Sequence, residues 1–272
     1  MLPEIFRIGS RAVSGYAFFY VLGIAVGSLL ILILSRKEKL DFLEMVNYVI
    51  FGILAGLLGS KLMSAASVFL ANPAASLRHP RMLLEAARGG GMISGALISG
   101  ILFMIIYTAI FFKRDRWKVF DVTAIGMALG HGIGRIGCFC AGCCYGLPTT
   151  LPWGVKFPLL GGDAHPYARG FVHPTQIYEA VLDLANFIFL FCLWRRRRFP
   201  GQVFSLYLIN YGVIRFLLEY LRNDGGRGDV IRGGSPLASL TFPQLLSIIL
   251  VISGGLILRK KRQPPQSSFF RS

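Results

Sequence analysis

Residues 15–34 read GYAFFYVLGIAVGSLLILIL, a run of twenty positions without a charged side chain. A run of this length is sufficient for one helix to cross the hydrocarbon core of a bilayer, which is about 30 Å thick. The run ends at Ser35, Arg36 and Lys37, and no small-residue cleavage site follows it. We therefore expect a retained membrane helix and not a signal peptide.

The rest of the chain has the same apolar character. Of its 272 residues, 54% are apolar, 15% are charged and 32 residues are glycine. Soluble domains are only about 45–50% apolar when glycine is included in the count. The mean hydropathy is +0.60. These values exclude a disordered chain, a disulfide-rich secreted miniprotein and an ordinary soluble enzyme.

Seven stretches approach the length that a membrane span requires. They are residues 15–34, 43–70, 92–112, 119–144, 177–194, 203–221 and 242–258. The pattern predicts an all-α, polytopic integral membrane protein with about seven transmembrane helices, forming a single transmembrane domain over residues 1–272.

The basic residues predict an orientation. The segments 35–41, 113–118 and 195–202 and the tail from 259 hold 16 Lys and Arg residues, and all lie on one side of seven helices. The opposite side holds 10, spread over longer connections. Because basic residues concentrate in cytoplasmic loops, we expect the N-terminus outside and the C-terminus in the cytoplasm. The net charge of +16 is thereby explained without nucleic-acid binding.

The outer side carries the longer connections. Residues 145–176 contain five prolines, and residues 222–241 are rich in glycine. Loops of this length are often functional. We predict that they form a small cap on the outer face, while residues 259–272 form a basic cytoplasmic tail.

Several ionisable residues lie inside the apolar stretches, where they are costly and therefore indicate a functional site. At ~1.5 Å per residue, Arg135 lies about 24 Å and Arg215 roughly 18 Å from the cytoplasmic ends of their helices. The opposite direction of the fifth predicted helix places His173, Gln176 and Glu179 near the same outer level. Two guanidiniums at one depth suit a phosphate, which each can bind bidentately.

Helical spacing adds residues to this face. Tyr211 and Glu219 lie four residues on either side of Arg215, and His131 lies four residues before Arg135. A buried structural pair of Arg215 and Glu219 is the alternative interpretation. The phosphate abundant in the outer leaflet is a phospholipid head group, so the residues alone predict a phospholipid-handling membrane protein.

Four of the five cysteines lie in the motif CFCAGCC at residues 138–144. Cys140 and Cys143 form a C-x-x-C pair, but a zinc site usually needs a second pair of ligands, for which only His165 and His173 are available. A disulfide is also open, because this end of the helix faces the oxidising side of the membrane. Packing of small side chains among glycines is the third interpretation.

With these residues in view, the chain resembles the prolipoprotein diacylglyceryl transferase family over nearly its full length. The resemblance is carried by six segments: Ser14–Tyr20, Gly59–Leu62, Gly90–Ile98, Gly134–Gly146, His173–Glu179 and Tyr211–Glu219. The segments HPTQIYE at 173–179 and YGVIRFLLE at 211–219 are the specific ones.

The resemblance implies transfer of the diacylglyceryl group of phosphatidylglycerol to the lipobox cysteine thiol of a prolipoprotein signal peptide, with release of glycerol phosphate, in the bacterial cytoplasmic (inner) membrane. Arg135 and Arg215 would hold the phosphate and stabilise the leaving group. Glu219 would orient Arg215, and Tyr211 would hydrogen-bond at the reacting centre. The implied substrate-binding residues are Tyr16, Lys61, Ser94, His173, Gln176 and Glu179.

The sequence departs from the family pattern at three places. Ser94 stands where the family usually has a histidine that is a candidate general base, and Lys61 replaces the usual arginine. In the fourth helix, the positions that usually carry asparagines and a glutamate are Cys138, Ala141 and Cys143. We expect His131 to replace the missing base as a catalytic residue.

The departures leave two other functions open. One is a phospholipid-binding membrane protein without catalysis, and the other is a cysteine-based redox or metal protein. For the leading interpretation we expect no cofactor, no metal and no nucleic-acid partner.

Overall fold

The computed structural model describes residues 6–8, 11–89, 91–157, 170–222, 229–231 and 240–262. Two short antiparallel strand pairs, β1 with β2 and β3 with β4, accompany the helices. In chain order the elements are β1 (Phe6–Ile8), β2 (Arg11–Val13), α1 (Gly15–Lys37), α2 (Phe42–Ala71), α3 (Pro73–Arg78), α4 (Arg81–Gly89), α5 (Ile93–Phe111), α6 (Arg116–Ala141), α7 (Thr175–Arg196), α8 (Gln202–Glu219), β3 (Asp229–Ile231), β4 (Leu240–Thr241) and α9 (Phe242–Arg262).

The seven predicted apolar stretches coincide with α1, α2, α5, α6, α7, α8 and α9. Within the described residues, α1, α2, α6, α7 and α9 are long and apolar enough to cross a membrane. The apolar part of α5 is shorter, and α8 has 18 residues. The prediction of an all-α polytopic membrane protein is therefore confirmed, whereas the count of seven spans stays a prediction.

The chain divides into two compact units. The first unit comprises residues 1–31 and 120–272, and the second comprises residues 32–119. The boundary passes through α1 and α6, so the two units share these helices. The prediction of a single domain over the whole chain is not tested by this division and stays a prediction.

Glycines allow helices of the first unit to pack backbone to backbone. A Cβ atom added at Gly23 of α1 would lie 2.5 Å from the carbonyl oxygen of Gly130 of α6, and one at Gly27 would lie 2.7 Å from that of Gly126. On another side of α6, a Cβ at Gly132 would meet Leu184 of α7 at 3.0 Å. Small residues permit such close approach between membrane helices. These contacts hold α6 between α1 and α7.

A buried carboxylate joins the beginnings of α6 and α8. Asp121 is fully buried and accepts hydrogen bonds from the backbone N–H groups of Gly201 at 2.8 Å and Phe204 at 2.9 Å. The Nε atom of Arg197 lies 3.6 Å from the same carboxylate. Asp121 therefore satisfies N–H groups at the start of α8 that have no partner within the helix.

In the second unit, α2 packs against α5. The Ser99 hydroxyl donates to the carbonyl oxygen of Ala55 at 2.9 Å, and the Tyr107 hydroxyl donates to Glu44 at 3.0 Å. The predicted loop between these helices contains the short helices α3 and α4.

The described residues of the segment 145–176 are hydrogen-bonded to one another and to the residues that follow α8. The N–H of Leu147 donates to the carbonyl of Leu221, and the N–H of Gly146 donates to that of His173. Val155 and Val172 exchange two backbone hydrogen bonds of 3.0 Å. Residues 158–169, 223–228, 232–239 and 263–272 of the predicted cap and tail lie outside the described residues.

Candidate active site

Three helices of the first unit direct polar side chains toward one another. His131, Arg135 and Cys138 repeat at helical spacing on α6, as Glu179, Asp183 and Asn186 do on α7 and Tyr211, Arg215 and Glu219 on α8. Residues three and four apart share a helix face. Each helix therefore presents one polar stripe within an otherwise apolar surface.

Glu179 is the point at which three guanidiniums meet. Its Oε1 atom lies 2.7 Å from Nη2 of Arg135, and its Oε2 atom lies 3.9 Å from Nη1 of Arg215 and 3.7 Å from Nη1 of Arg222. The side chain of Glu179 is 1% exposed. We call Arg135, Arg215 and Arg222 the arginine cluster. Because buried charges are tolerated only when they are paired, the carboxylate and the arginine cluster require each other.

A second carboxylate supports the same cluster. Glu219 lies 2.7 Å from Nη2 of Arg215, one helical turn away on α8. It also accepts a hydrogen bond of 3.1 Å from the hydroxyl of Thr241. Three guanidiniums against two carboxylates leave an excess of one positive charge. The cluster can therefore neutralise a singly charged anion such as a phosphodiester.

Two guanidiniums retain hydrogen-bonding capacity. Within the described residues, Nε of Arg135 and Nη1 of Arg215 are buried and make no hydrogen bond. Buried donors of this kind are normally satisfied. An anion bound between the two arginines would satisfy both.

The imidazole of His131 is held by a second buried acid. Its Nδ1 atom lies 2.7 Å from Oδ2 of Asp183, whose side chain is 1% exposed. The ring of Tyr211 lies edge to face against the imidazole, with 5.5 Å between ring centroids. His131, Glu179 and Asp183 each offer an atom within 4.8 Å of the others, a spacing that a metal ion could use. Because Glu179 already faces three guanidiniums, a cation bound here would lie close to three positive charges.

Three other predicted site residues lie in the first unit, near the N-terminal ends of α1 and α7. Gln176 is 1% exposed and donates to the carbonyl oxygen of Cys143 at 2.6 Å. His173 lies 3.3 Å from the hydroxyl of Tyr178, which also accepts a hydrogen bond from Trp153. Tyr16, near the start of α1, is 43% exposed. Gln176 and His173 therefore contact the loop structure, and no substrate contact follows from these bonds alone.

Two predicted substrate-binding residues belong to the second unit. Lys61 is half-buried in the C-terminal half of α2. Ser94 lies in the first turn of α5, and its side chain is outside the described residues.

All five cysteines of the chain are free, so the disulfide interpretation is not realised in this structure. The sulfur atoms of Cys138, Cys143 and Cys144 lie within 4.8 Å of one another, and we call these residues the thiol cluster. Cys140 is buried, and Cys192 is exposed on α7.

Arg222 was not predicted as a site residue, because it is the first residue of the predicted outer loop 222–241. The chain continues through a helical turn after Glu219, since the N–H of Arg222 donates to the carbonyl of Glu219 at 3.2 Å. Arg222 follows Arg215 by seven residues, which is two helical turns, and this spacing was the available signal. The pairing of Asp183 with His131 was also not predicted.

The chain is similar in sequence to known proteins over almost its whole length. The family model for "Prolipoprotein diacylglyceryl transferase" matches residues 3–259. The phosphatidylglycerol–prolipoprotein diacylglyceryl transferase of Clostridium tetani is 36% identical over 97% of this chain and 100% of its own length. Transferase 2 of Clostridium perfringens is 32% identical, over 95% and 93% of the two chains. The Geobacter sulfurreducens transferase is 31% identical, over 96% and 97%. The chain belongs to the prolipoprotein diacylglyceryl transferase family.

Proposed function

We propose that this protein transfers the diacylglyceryl group of phosphatidylglycerol to the lipobox cysteine thiol of a prolipoprotein signal peptide, and releases glycerol phosphate. Membership of the family supports the reaction. In this chain itself, the observation that supports the proposal is the convergence of three guanidiniums on Glu179.

The arginine cluster binds the phosphodiester of the lipid in this proposal. Arg135 and Arg215 hold the phosphate oxygens, and Arg222 adds a third positive charge. As the bond between the glyceryl carbon and the phosphate oxygen breaks, negative charge increases on the leaving phosphate. Preorganised donors stabilise that charge more strongly in a buried site than in water.

Glu179 and Glu219 act on the arginines and not on the lipid. Both carboxylates lie in contact with guanidiniums, at distances as short as 2.7 Å. A carboxylate facing a phosphate would repel it, so the predicted substrate-binding role of Glu179 becomes a positioning role. Their function is to hold the guanidiniums in one geometry before the substrate binds.

His131 is the proposed proton acceptor for the acceptor thiol. Asp183 holds Nδ1, which leaves Nε2 of the partly exposed ring available to accept a proton. A carboxylate that fixes the orientation and tautomer of an imidazole is a recurring device in nucleophilic catalysis. Tyr211 packs against the ring, and its proposed role is a hydrogen bond at the reacting centre.

The remaining predicted residues keep their proposed roles. The proposed substrate-binding residues are Tyr16, His173 and Gln176 in the first unit and Lys61 and Ser94 in the second. The protein is a multi-pass protein of the bacterial inner membrane, with its N-terminus outside and its C-terminus in the cytoplasm. Residues 145–176 and 222–241 form a cap over the outer end of the site.

The direct test is transfer by the purified protein. Liposomes that contain phosphatidylglycerol labelled in the diacylglyceryl group are mixed with the protein and a peptide that carries a lipobox cysteine. We expect label on the peptide thiol, and no label on a peptide with serine in place of that cysteine. Phosphatidylglycerol binding without transfer, in a folded protein, would establish the non-catalytic interpretation instead.

Two arginine variants test the phosphate-binding role separately. Arg135→Ala and Arg215→Ala each remove a phosphate-binding group, and we expect turnover to fall below about one-tenth of the wild-type rate. Arg88→Ala, at an exposed arginine of α4, is the matched control. Turnover above that level in both site variants would contradict the phosphate role.

A further inference from the structure

The thiol cluster results from a specific interruption of α6. The helix ends at Ala141, and Gly142 and Cys144 both adopt left-handed backbone conformations, with φ of 68° and 65°. Cys144 is unusual in this respect, because a non-glycine residue rarely adopts positive φ without support from its surroundings. The reversal turns Cys143 and Cys144 back toward Cys138, which brings the three sulfurs within 4.8 Å.

The loop that carries the cluster is fixed to α7. The side chain of Gln176 donates to the carbonyl of Cys143 at 2.6 Å, and the hydroxyl of Thr175 donates to that of Cys144 at 2.8 Å. Both α7 residues are 1% exposed. The backbone of Cys143 and Cys144 is therefore held in place by two buried hydrogen bonds from a neighbouring helix.

This arrangement has the composition of a zinc site with one open position. Zinc binds cysteine sulfur at about 2.3 Å in a tetrahedral site, which places the sulfurs roughly 3.8 Å apart. Only a small contraction of the cluster is needed to reach that spacing. Catalytic zinc sites have three protein ligands and leave the fourth position for water or substrate. Because Cys143 is exposed, the fourth position would be accessible.

The cluster also lies beside the proposed phosphate site. Cys138 is three residues from Arg135 on α6, so the sulfurs lie one helical turn from the arginine cluster. Guanidiniums at that distance favour an anionic zinc–thiolate centre.

We propose that Cys138, Cys143 and Cys144 bind a zinc ion whose fourth position coordinates the thiol of the acceptor cysteine. This proposal rests on the proposed transferase function and adds the means by which the acceptor sulfur is activated. It also provides activation in a chain that has serine at position 94 in place of a candidate base.

The three cysteine thiols lose their protons when Zn²⁺ binds. The acceptor thiol then coordinates the zinc and, like the three cysteine thiols, releases its proton to water. The zinc-bound sulfur attacks the glyceryl carbon bonded to the phosphate oxygen, so that a carbon–sulfur bond forms and the carbon–oxygen bond breaks. The electron pair of the broken bond leaves on glycerol phosphate, and the thioether dissociates from the metal.

Metal binding is tested without reference to activity. The full-length protein is purified in detergent under reducing conditions, incubated with Zn²⁺ and freed of unbound metal before elemental analysis. We expect one zinc per chain, and less than about one-tenth of that in Cys138→Ser, Cys143→Ser and Cys144→Ser. Cys192→Ser is the control and keeps the metal. Because Cys143 is exposed, its variant is expected to fold.

Substitution with Co²⁺ reports the ligands directly. Sulfur-to-cobalt charge transfer and intense d–d absorption are expected for a tetrahedral thiolate site, and addition of a lipobox peptide should change the spectrum. A peptide with serine at the acceptor position should leave the spectrum unchanged. Wild-type protein without bound metal, or a cluster that forms a disulfide under these conditions, would overturn the proposal.

Different results would contradict the transferase function and the zinc site. If the wild type transfers diacylglyceryl with no metal bound, and chelator has no effect, the transferase function stands and the zinc site is wrong. If zinc binds and the peptide coordinates it but no transfer occurs, the transferase function is wrong. When both hold, chelation should lower turnover at least about tenfold, and Zn²⁺ should restore it.

Discussion

The Nδ1 atom of His131 on α6 lies 2.7 Å from Oδ2 of Asp183 on α7. The acid is almost completely buried, whereas the imidazole is about one-third exposed, at 32%. The pair therefore has one face anchored in the helix bundle and one face available to a substrate. In the proposed mechanism, this pair acts as an oriented base.

Asp183→Asn should lower kcat more than it raises the KM for phosphatidylglycerol. The amide keeps the size of the side chain but no longer holds the imidazole in the required tautomer. General acid–base catalysis contributes about 10²–10⁴-fold, so we expect a loss of kcat of at least about two orders of magnitude. Steady-state kinetics in phosphatidylglycerol liposomes give the two parameters separately. His79→Ala, at an exposed position after α3, is the control. A variant whose KM rises while kcat is unchanged would contradict the assignment.

Glu179→Gln should disrupt the arginine cluster as a whole. The substitution removes a buried negative charge that faces three guanidiniums, and loss of one partner from a buried ion pair costs about 3–5 kcal/mol. We expect a lower unfolding temperature in detergent together with loss of transfer. Glu85→Gln, at an exposed position of α4, provides the comparison. Full stability in Glu179→Gln would show that the three arginines do not depend on this carboxylate.

Arg222→Ala should weaken lipid binding although the residue lies beyond the end of α8. A hydrogen bond to a charged group contributes about 1.5–3 kcal/mol, so we expect the KM for phosphatidylglycerol to rise by about tenfold or more. Arg222→Lys should recover only part of this affinity, because an ammonium cannot bind a phosphate bidentately. An unchanged KM in the alanine variant would remove Arg222 from the phosphate site.

Gly23→Ala should separate α1 from α6. The added Cβ would lie 2.5 Å from the carbonyl oxygen of Gly130, and overpacking of this kind costs about 1–3 kcal/mol. Gly100→Ala is the matched control, because a Cβ at this helical glycine of α5 meets no neighbouring atom within 4 Å. Its helix propensity should make it neutral or slightly stabilising. Unfolding in a denaturing detergent compares the two, and equal stability would contradict the close-packing argument.

The sequence alone determined the class of the protein and the helices that position the site. Long apolar runs are costly in water and leave the membrane as their environment, so residues 15–34 and the six other stretches could be located without coordinates. Helical periodicity then placed Arg135, Arg215 and Glu219 on inward faces. The motifs at residues 173–179 and 211–219 identified the family that the full-length comparison confirmed.

Only the tertiary structure decided which charges meet. Spacing along one helix says nothing about its rotation against the next, so the contacts of Glu179 with Arg135, Arg215 and Arg222 could not be read from periodicity. The convergence of three sulfurs depends on a backbone reversal after Ala141 that a C-x-x-C spacing does not predict. Both arrangements arise because buried charges and thiols take their partners from neighbouring segments in space, and the packing of the helices sets those partners.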